Sequence, residues 1–364
     1  MTVPPDRTPS AVPRAPIVAS RGSALAREQA RRVRDALAVT SDLSIVRTAG
    51  DRDGRVPLSE QTGAGFFTRD IEEQLLEGSV DLAVHSLKDL PVELAPGLVF
   101  GAHLERDHPS DILLVRPDAV DAGRPLPVKA GGRVGASSAR RQALLGRYAP
   151  DLVPADIRGN VPTRVDKARR GDFDAILLSR AGVERLQLDT TPLEVFELDP
   201  RTWPGAPGQA TIVVETRSDA THLLELLGPL NHAATQELTA AERDLLLAYG
   251  GGCHAPFGAY ACTTTGDGTT AGDGTSAGGG TSAGGGTSAG GVEIHVCAAP
   301  LHREGAGPRA HPMELCTFSG ETLATALAAA RAWIHAGCTN GADSTPDIGK
   351  DNPWPLWQPA PAWS

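Results

Sequence analysis

A cysteine that follows two glycines is the residue of this sequence best placed for covalent chemistry. Gly251 and Gly252 directly precede Cys253, and glycine allows close approach of backbone or of a ligand. A single thiol on such a turn suggests a covalent role. An isolated cysteine is also commonly a small buried core residue, so both interpretations of Cys253 stay open on this tripeptide alone.

A set of arginines forms the second group of candidate residues. Each lies within four residues of a glycine, serine or asparagine where a strand is predicted to end. A guanidinium group can bind a carboxylate through two parallel hydrogen bonds. The pattern predicts local anion sites, with an ordinary surface ion pair as the alternative for each arginine. The set comprises Arg21, Arg140, Arg141, Arg158 and Arg164.

Composition and charge exclude several classes of protein. The 364 residues carry a formal net charge of -10, which argues against a nucleic-acid binder because such proteins need a basic surface. The five cysteines are widely spaced and have no Cys-x-x-Cys pair, so we expect neither a disulfide framework nor a metal site. The first residues lack the apolar core of a signal segment, and no apolar run approaches membrane length. We therefore expect a cytoplasmic protein that does not bind membranes.

Alternating strand and helix patterns must position these residues. Short β-branched runs alternate with amphipathic segments such as Leu25 to Leu37, which predicts an α/β fold with largely parallel sheets. Ligands of such folds collect at the carboxyl ends of strands. Further along, Thr239 and Glu242 have capping-box spacing, which predicts a helix that starts there and ends near Gly250, just before the cysteine.

Breaks in the pattern divide the chain into three predicted domains. One break lies at Asp107 to Ser110 and another at Arg201 to Gln209. A Gly-rich repeat is predicted to be flexible coil between two strand-like runs, and the Trp/Pro-rich end to be disordered or polyproline-like. The predicted bounds are a disordered N-terminus at 1–14, domain 1 at 15–106 plus 204–227, domain 2 at 107–203, domain 3 at 228–342 with the insert at 263–291, and a tail at 343–364.

Several motifs in order give the chain a close resemblance to the porphobilinogen deaminase (hydroxymethylbilane synthase) family. The resemblance extends from about Pro16 to Cys338, interrupted by the insert. The motifs are Ile17-Val-Ala-Ser-Arg21-Gly-Ser23, Val84-His85-Ser86-Leu87-Lys88-Asp89, Val134-Gly-Ala-Ser137-Ser138-Ala-Arg140-Arg141-Gln142, Asp156-Ile-Arg158-Gly159-Asn160 and Gly251-Gly-Cys253.

The resemblance implies the architecture and the reaction. Two domains are expected to be similar to the halves of type II periplasmic binding proteins, with a smaller α/β domain that carries the cysteine. It implies a dipyrromethane cofactor attached to Cys253 through a thioether. Four porphobilinogen units would be added in turn to this primer, with loss of ammonia, to give the linear tetrapyrrole hydroxymethylbilane used in porphyrin and heme biosynthesis. A monomer without metal or nucleotide is expected.

The same resemblance implies roles for individual residues. Asp89 is expected to stabilise positive charge near the pyrrole N–H and to shuttle protons, although a helix N-cap is an alternative for this aspartate. Residues expected to bind the cofactor are Ser86, Lys88, Ser137, Arg140, Arg141 and Arg158. Residues expected to bind the substrate are Arg21, Ser23, Ser138, Arg158, Arg164 and Arg185.

The sequence departs from the family pattern in the segment that aligns with the mobile active-site loop. Many family members have basic residues at the positions of Ala49, Glu60 and Ala64. Their loss leaves open a diverged paralogue that binds a pyrrole or another carboxylated ligand with little or no turnover. A solute-binding protein of the periplasmic type is a third hypothesis, which the cysteine domain opposes.

Overall fold

The computed structural model describes residues 14–47, 68–250, 252, 255–264, 270–271, 291–299, 313–338 and 356–360. These residues form three β-sheets with helices packed against them. The α/β class is therefore confirmed. Cys253, Ala49, Glu60 and Ala64 lie outside the described residues, as do most of the Gly-rich insert and the first thirteen residues.

The first sheet has five strands in the order β2-β1-β3-β10-β4. Its strands are β1 (Ile17–Arg21), β2 (Asp42–Val46), β3 (Leu82–Ser86), β4 (Leu98–His103) and β10 (Ile212–Arg217). Helices α1 (Ala24–Ala36) and α6 (Thr221–Leu227) share a core with one face, and α2 (Arg69–Glu77) packs on the other face. The polar face of each helix is directed towards solvent, as amphipathic spacing requires.

The second sheet has six strands in the order β15-β9-β5-β8-β6-β7. Its strands are β5 (Asp111–Val115), β6 (Arg133–Gly135), β7 (Val153–Ala155), β8 (Ala175–Ser179), β9 (Glu194–Leu198) and β15 (Trp357–Pro359). Its helices are α3 (Ala139–Tyr148), α4 (Val161–Arg169) and α5 (Arg180–Arg185).

The expectation of largely parallel sheets is wrong. β1 pairs in parallel with β2 and β3, but β10 is antiparallel to β3 and β4. In the second sheet β5 is likewise antiparallel to β8 and β9. The reason is that the chain crosses from the first sheet to the second through residues 104–110 and returns through residues 199–211, so each crossing delivers a strand that runs in the opposite direction.

The third sheet is antiparallel and carries two helices on one face. Its strands are β11 (Phe257–Thr264), β12 (Thr270–Ala271), β13 (Gly291–Ala298) and β14 (Glu314–Gly320), in the order β12-β11-β13-β14. Helices α7 (Ala233–Ala248) and α8 (Leu323–His335) bury its apolar face. The predicted coil at 263–291 is wrong at its edges, because β11 continues through Thr264 and pairs with Thr270–Ala271.

Two further predictions need correction. Helix α7 starts after His232, whose side chain caps it, so Thr239 and Glu242 lie inside the helix rather than in a capping box at its start. The tail is not disordered at residues 356–360, because β15 extends the second sheet beside β9 and Leu356 is buried in that core. The prolines that alternate with large apolar residues concealed this strand in the sequence. An edge strand tolerates proline, because one side of its backbone has no partner strand.

The domain bounds drawn from the sequence stay a prediction. Part of the second core is shared with the third sheet, since Cys297, Met313 and Leu315 pack beside Trp203. No helix among the described ranges is long and apolar enough to cross a membrane.

Candidate active-site cleft

The carboxyl ends of β1 and β3 surround a cavity of about 90 Å³ in the first sheet. Parallel neighbouring strands end at the same edge, which brings the two loops that follow them together. The lining residues are Arg21, Ser23, Leu25, Ala26, Gln29, Thr68, Val84, His85, Ser86 and Asp89. The structure thus brings together four residues of the predicted site, Arg21, Ser23, Ser86 and Asp89.

Ser23 sets the position of the α1 N-terminus at this cavity. Its Oγ accepts a hydrogen bond from the Ala26 amide at 3.2 Å, which caps the helix. The positive end of the helix dipole then faces the cavity and favours an anionic ligand. Ser86 Oγ accepts a hydrogen bond from Gln29 Nε2 at 2.7 Å, so α1 also fixes this second hydroxyl.

A short 3₁₀ turn at Leu87–Asp89 presents the candidate catalytic aspartate. Leu87 is fully buried and its amide donates to the Thr211 carbonyl at 3.0 Å, which ties the turn to the returning chain. Asp89 is the last residue of the turn and is exposed. The alternative of a helix N-cap at Asp89 is therefore wrong.

Lys88 is half-buried beside Asp89. Its Nζ donates to Gln209 Oε1 at 3.2 Å, so the return crossing also reaches this site. Burial lowers the pKa of Lys88 to about 8, and Asp89 opposes this shift by favouring the cation. A carboxylate therefore lies beside a cation that can lose its proton near neutral pH.

The second sheet contributes two serines and two arginines at strand ends. Ser137 Oγ donates to the Ile157 carbonyl at 2.6 Å and accepts from the Ile157 amide at 2.9 Å, which fixes the loop that carries Arg158. Ser138 is the N-cap residue of α3 and makes no side-chain capping bond among the described residues. Asn160 caps α4, which positions Arg164 on its first turn.

The two arginines of this loop and helix form a crowded cationic region. Arg158 and Arg164 are half-buried, and Arg164 Nε donates to the Gly159 carbonyl at 2.8 Å. Burial lowers the pKa of Arg164 to about 10, and repulsion from Arg141 and Arg158 adds to the effect, while Asp89 opposes it. Asp89 of the first sheet therefore lies within electrostatic reach of cations from the second sheet.

Arg140 and Arg141 bind a buried carboxylate of the protein itself. Arg141 donates to Asp111 through Nε at 3.0 Å and Nη2 at 2.7 Å, and Arg140 donates to it through Nη2 at 3.0 Å. Burial alone would raise the pKa of Asp111, but Arg141 and Arg140 outweigh it and hold this pKa well below its usual range. Both arginines have internal partners, and their predicted contact with the cofactor stays a prediction.

Arg185 is also engaged within the protein. It is buried, donates to Asp107 Oδ2 at 2.6 Å through Nε, and contacts the Ala210 carbonyl through Nη2. Asp107 in turn lies 3.5 Å from Arg32 Nη1 on α1. Arg185 thus links the two crossings, and its predicted substrate contact stays untested.

Helix α7 connects the cysteine segment to this cleft. Glu242 is fully buried and accepts hydrogen bonds from Arg106 Nη1 at 2.7 Å, the Gly208 amide at 2.7 Å and the Ala261 amide at 2.9 Å. Arg243 donates to the carbonyl of Leu87, the first residue of the Asp89 turn, at 3.3 Å and to the Val92 carbonyl beyond the turn at 2.8 Å. The helix that leads to Cys253 is therefore fixed to the turn that carries Asp89.

The sequence interpretation missed Asp111, Gln209 and Glu242 as organising residues. Asp111 begins a strand of otherwise buried apolar residues. A carboxylate at such a position needs partners, which is a signal that the sequence does contain. Gln209 and Glu242 gave no comparable signal, because their partners come from distant segments.

The fold and cleft define a class of protein with several sheets, a cavity in the first sheet with an exposed carboxylate at its edge, and cations of the second sheet within electrostatic reach of that carboxylate. Such a cleft suits a ligand with many carboxylates and chemistry that needs a proton acceptor. A family model described as "Porphobilinogen deaminase, dipyromethane cofactor binding domain" matches residues 17–225. The chain belongs to the porphobilinogen deaminase family.

Relatives from both bacteria and archaea support this membership. A porphobilinogen deaminase of Nitratidesulfovibrio vulgaris (strain DSM 19637 / Miyazaki F) is 42% identical over 259 residues, which cover 70% of this chain and 79% of the relative. A probable porphobilinogen deaminase of Ignicoccus hospitalis is 40% identical over 252 residues, 67% of this chain and 80% of the relative.

Two solved structures share weaker likeness. YhfZ from Shigella flexneri is 19% identical with a TM-score of 0.30, and the match covers 63% of this chain and 95% of YhfZ. The Salmonella typhimurium periplasmic binding protein STM4351 is 11% identical with a TM-score of 0.33, and covers 62% of this chain and 93% of its own.

Proposed function

We propose that this protein condenses four porphobilinogen molecules in turn onto a dipyrromethane primer, with release of ammonia at each step, to give hydroxymethylbilane. It is a transferase of tetrapyrrole biosynthesis. The observation that carries the proposal is the exposed Asp89 on a fixed turn, with Lys88 beside it and Arg164 within electrostatic reach from the second sheet. The alternative of a binding paralogue without turnover is not favoured by relatives 40–43% identical that carry the name of the enzyme.

The cations of the cleft fit a dipyrromethane group. Each pyrrole ring of the substrate carries an acetate and a propionate, and the primer built from two rings carries the same groups. Burial and repulsion from Arg141 and Arg158 disfavour the charged form of Arg164 and lower its pKa to about 10. Ligand carboxylates in this region would relieve that repulsion, because an opposite charge favours the cation.

The attachment of the primer to Cys253 is part of the proposal. When bound, the primer supplies a free pyrrole carbon to which the next unit is joined. The support for Cys253 is the motif after α7 and the anchoring of α7 by Glu242 and Arg243 to the Asp89 turn. Cys253 needs only to be reduced and accessible to a methylene carbon.

The residues around the cleft have different roles, which follow from the chemistry of their side chains. Asp89, as a carboxylate, stabilises the positive charge that develops on the substrate pyrrole as ammonia leaves, and it accepts the proton lost when the ring becomes aromatic again. Arg158, Arg164 and Arg21 bind and orient the ring carboxylates. Ser23, Ser86, Ser137 and Ser138 hold the loops at the cleft or donate to the ligand.

Ammonia release from porphobilinogen tests this function. Asp89→Asn keeps the shape of the side chain but removes its negative charge, so we expect turnover to fall by about 10²–10⁴-fold. Asp42→Asn is the matched control, because Asp42 is exposed on an edge strand. Denaturing mass spectrometry should show a two-pyrrole adduct that is lost in Cys253→Ser, and one-pyrrole increments after substrate is added. An unmodified wild-type chain that releases no ammonia would refute the proposed activity.

Two further expectations complete the proposal. The family resemblance predicts a monomer, and the sequence composition predicts that the protein acts in the cytoplasm. Light scattering coupled to size-exclusion chromatography of the purified protein measures the first, and cell fractionation measures the second.

A further inference from the structure

Cys262, Glu293 and His295 form a side-chain cluster that the proposed reaction does not use. Cys262 lies directly opposite Glu293 in the pairing of β11 with β13, and His295 is two residues further along β13. Residues two apart on a strand share a face, so all three side chains project from one side of the third sheet. The other side carries Ala261, Ile294 and Val296, which pack against α7 and α8.

The donor atoms of this cluster are close together. One atom from each residue, the thiol sulfur, a carboxylate oxygen and an imidazole nitrogen, lies within 4.8 Å of the other two. Zinc binds sulfur at about 2.3 Å and nitrogen or oxygen at about 2.0–2.2 Å, which places tetrahedral ligand atoms roughly 3.5 Å apart. Metal binding would require side-chain rotations that shorten the donor separations by up to about 1.3 Å.

The neighbours of His295 resemble those of a metal-binding imidazole. Its Nδ1 lies 2.9 Å from Thr317 Oγ1 on β14, and its Nε2 lies 3.2 Å from Glu293 Oε2. A hydrogen bond to the ring nitrogen that does not face the metal sets the orientation and tautomer of a ligating histidine, with Nδ1–H donating and Nε2 directed at the metal.

Burial and charge are compatible with a divalent cation. Cys262 and His295 are buried, whereas the Glu293 side chain is 21% exposed and gives solvent access to the cluster. Arg201 lies within electrostatic reach of Glu293, and both oxygens of Asp199 bind it, at 3.0 and 3.1 Å from Nε. A thiolate and a carboxylate would neutralise one Zn²⁺ without the help of Asp199.

We propose that Cys262, Glu293 and His295 bind one zinc ion, with water as a fourth ligand at the exposed side of Glu293. Binding converts the Cys262 thiol to a thiolate, its proton passes to solvent, and no electron is transferred. The ion would connect β11 to β13 on either side of the Gly-rich insert. The spacing rules that predicted no metal site do not detect it, because the ligands come from opposite strands.

Cobalt titration of the purified, cofactor-loaded protein after removal of metals tests the proposal, since Co²⁺ replaces Zn²⁺ and reports a thiolate ligand by a charge-transfer absorption. We expect one equivalent to bind, the absorption to disappear in Cys262→Ser, and zinc to displace the cobalt. Cys316→Ser is the matched control, because Cys316 lies on the neighbouring strand β14 and should leave the absorption unchanged.

Two further variants keep the proposal falsifiable if Cys262→Ser does not fold. Thr317→Val removes the hydrogen bond between Thr317 Oγ1 and His295 Nδ1 and should weaken zinc affinity by about 10–100-fold. His295→Gln should abolish stoichiometric binding. The absence of one-equivalent binding in the wild type, or an absorption that survives Cys262→Ser or His295→Gln, would overturn the proposal and leave a Glu293–His295 contact beside a structural thiol.

Discussion

The electrostatics of single residues in the cleft depend on burial as much as on neighbouring charge. Lys88 and Arg164 are both cations whose pKa is lowered first by burial. Asp89 acts on both in the opposite direction, although Lys88 is its neighbour in the same turn and Arg164 lies on a helix of the second sheet. A substrate carboxylate that enters the cleft would act in the same direction as Asp89, so cation and ligand favour each other's charged form.

The pH dependence of catalysis should reveal Lys88. Because its pKa in the free protein is about 8, the cation is present below that pH and is lost as the pH rises through it. We expect kcat/KM to fall above about pH 8 and this decline to disappear in Lys88→Arg, since arginine remains charged. Lys129→Arg, at an exposed lysine that donates to the Asp118 carbonyl, is the control. An unchanged decline in Lys88→Arg would assign the titration to another group.

Arg164 should contribute to substrate binding. Arg164→Gln removes one charge-assisted hydrogen bond of about 1.5–3 kcal/mol, which corresponds to a KM raised roughly ten- to hundredfold. Arg169→Gln on the same helix is the control, because Arg169 pairs with Asp166 and Asp189 outside the cleft. Steady-state kinetics of ammonia release measure both variants. Equal effects of the two substitutions would indicate damage to α4 rather than loss of a ligand contact.

At the scale of elements, short turns and helix ends position the cleft residues. The Leu87–Asp89 turn packs against the return crossing at residues 199–211, where Gly208 has a φ of +74°. A Cβ at Gly208 would lie 2.7 Å from Leu87 Cγ, so the position needs glycine for both conformation and space. Helix α7 approaches the same turn from the third sheet through Arg243.

Substitution of this glycine should disturb both stability and activity. Gly208→Ala combines an unfavourable left-handed residue, about 1–2 kcal/mol, with overpacking of about 1–3 kcal/mol against Leu87. Gly131→Ala separates the two effects, because Gly131 has a φ of +73° but no heavy atom within 4 Å of a Cβ in the described structure. We expect a smaller loss of unfolding free energy in urea for Gly131→Ala, and a reduced kcat only for Gly208→Ala. Equal losses and equal kcat values would show that Leu87 is free to move.

For the whole molecule, the sequence predicted the kinds of element better than their assembly. The α1 amphipathic pattern and the runs of β11 and β13 were sufficient to locate those elements, because local periodicity determines them. Strand direction was not predictable in β10 and β5, since it depends on two crossings between sheets. The motif residues Arg21, Ser86 and Asp89 were found, whereas Asp111 and Glu242 act through partners far away in sequence.

The chain end should stabilise the second sheet. β15 pairs with β9, the Asp199 amide donates to the Leu356 carbonyl at 3.1 Å, and Leu356 is buried beside the second core. A chain that ends at residue 355 would lose these bonds and about 1.5–3 kcal/mol of Leu356 burial, and would expose the β9 edge. We expect faster hydrogen exchange at the Asp199 amide and in Glu194–Leu198, and unchanged exchange in Ile17–Arg21 of the first sheet.

Removal of residues 361–364 alone is the control for this truncation, because it leaves β15 intact. Exchange in β9 should then match the full chain. Unfolding in urea should show the loss of free energy only for the longer deletion. If the longer deletion leaves β9 exchange unchanged, the tail does not protect this edge in solution. If exchange instead rises equally in the first sheet, the two sheets unfold as one cooperative unit, and the tail stabilises the whole molecule through the shared crossings.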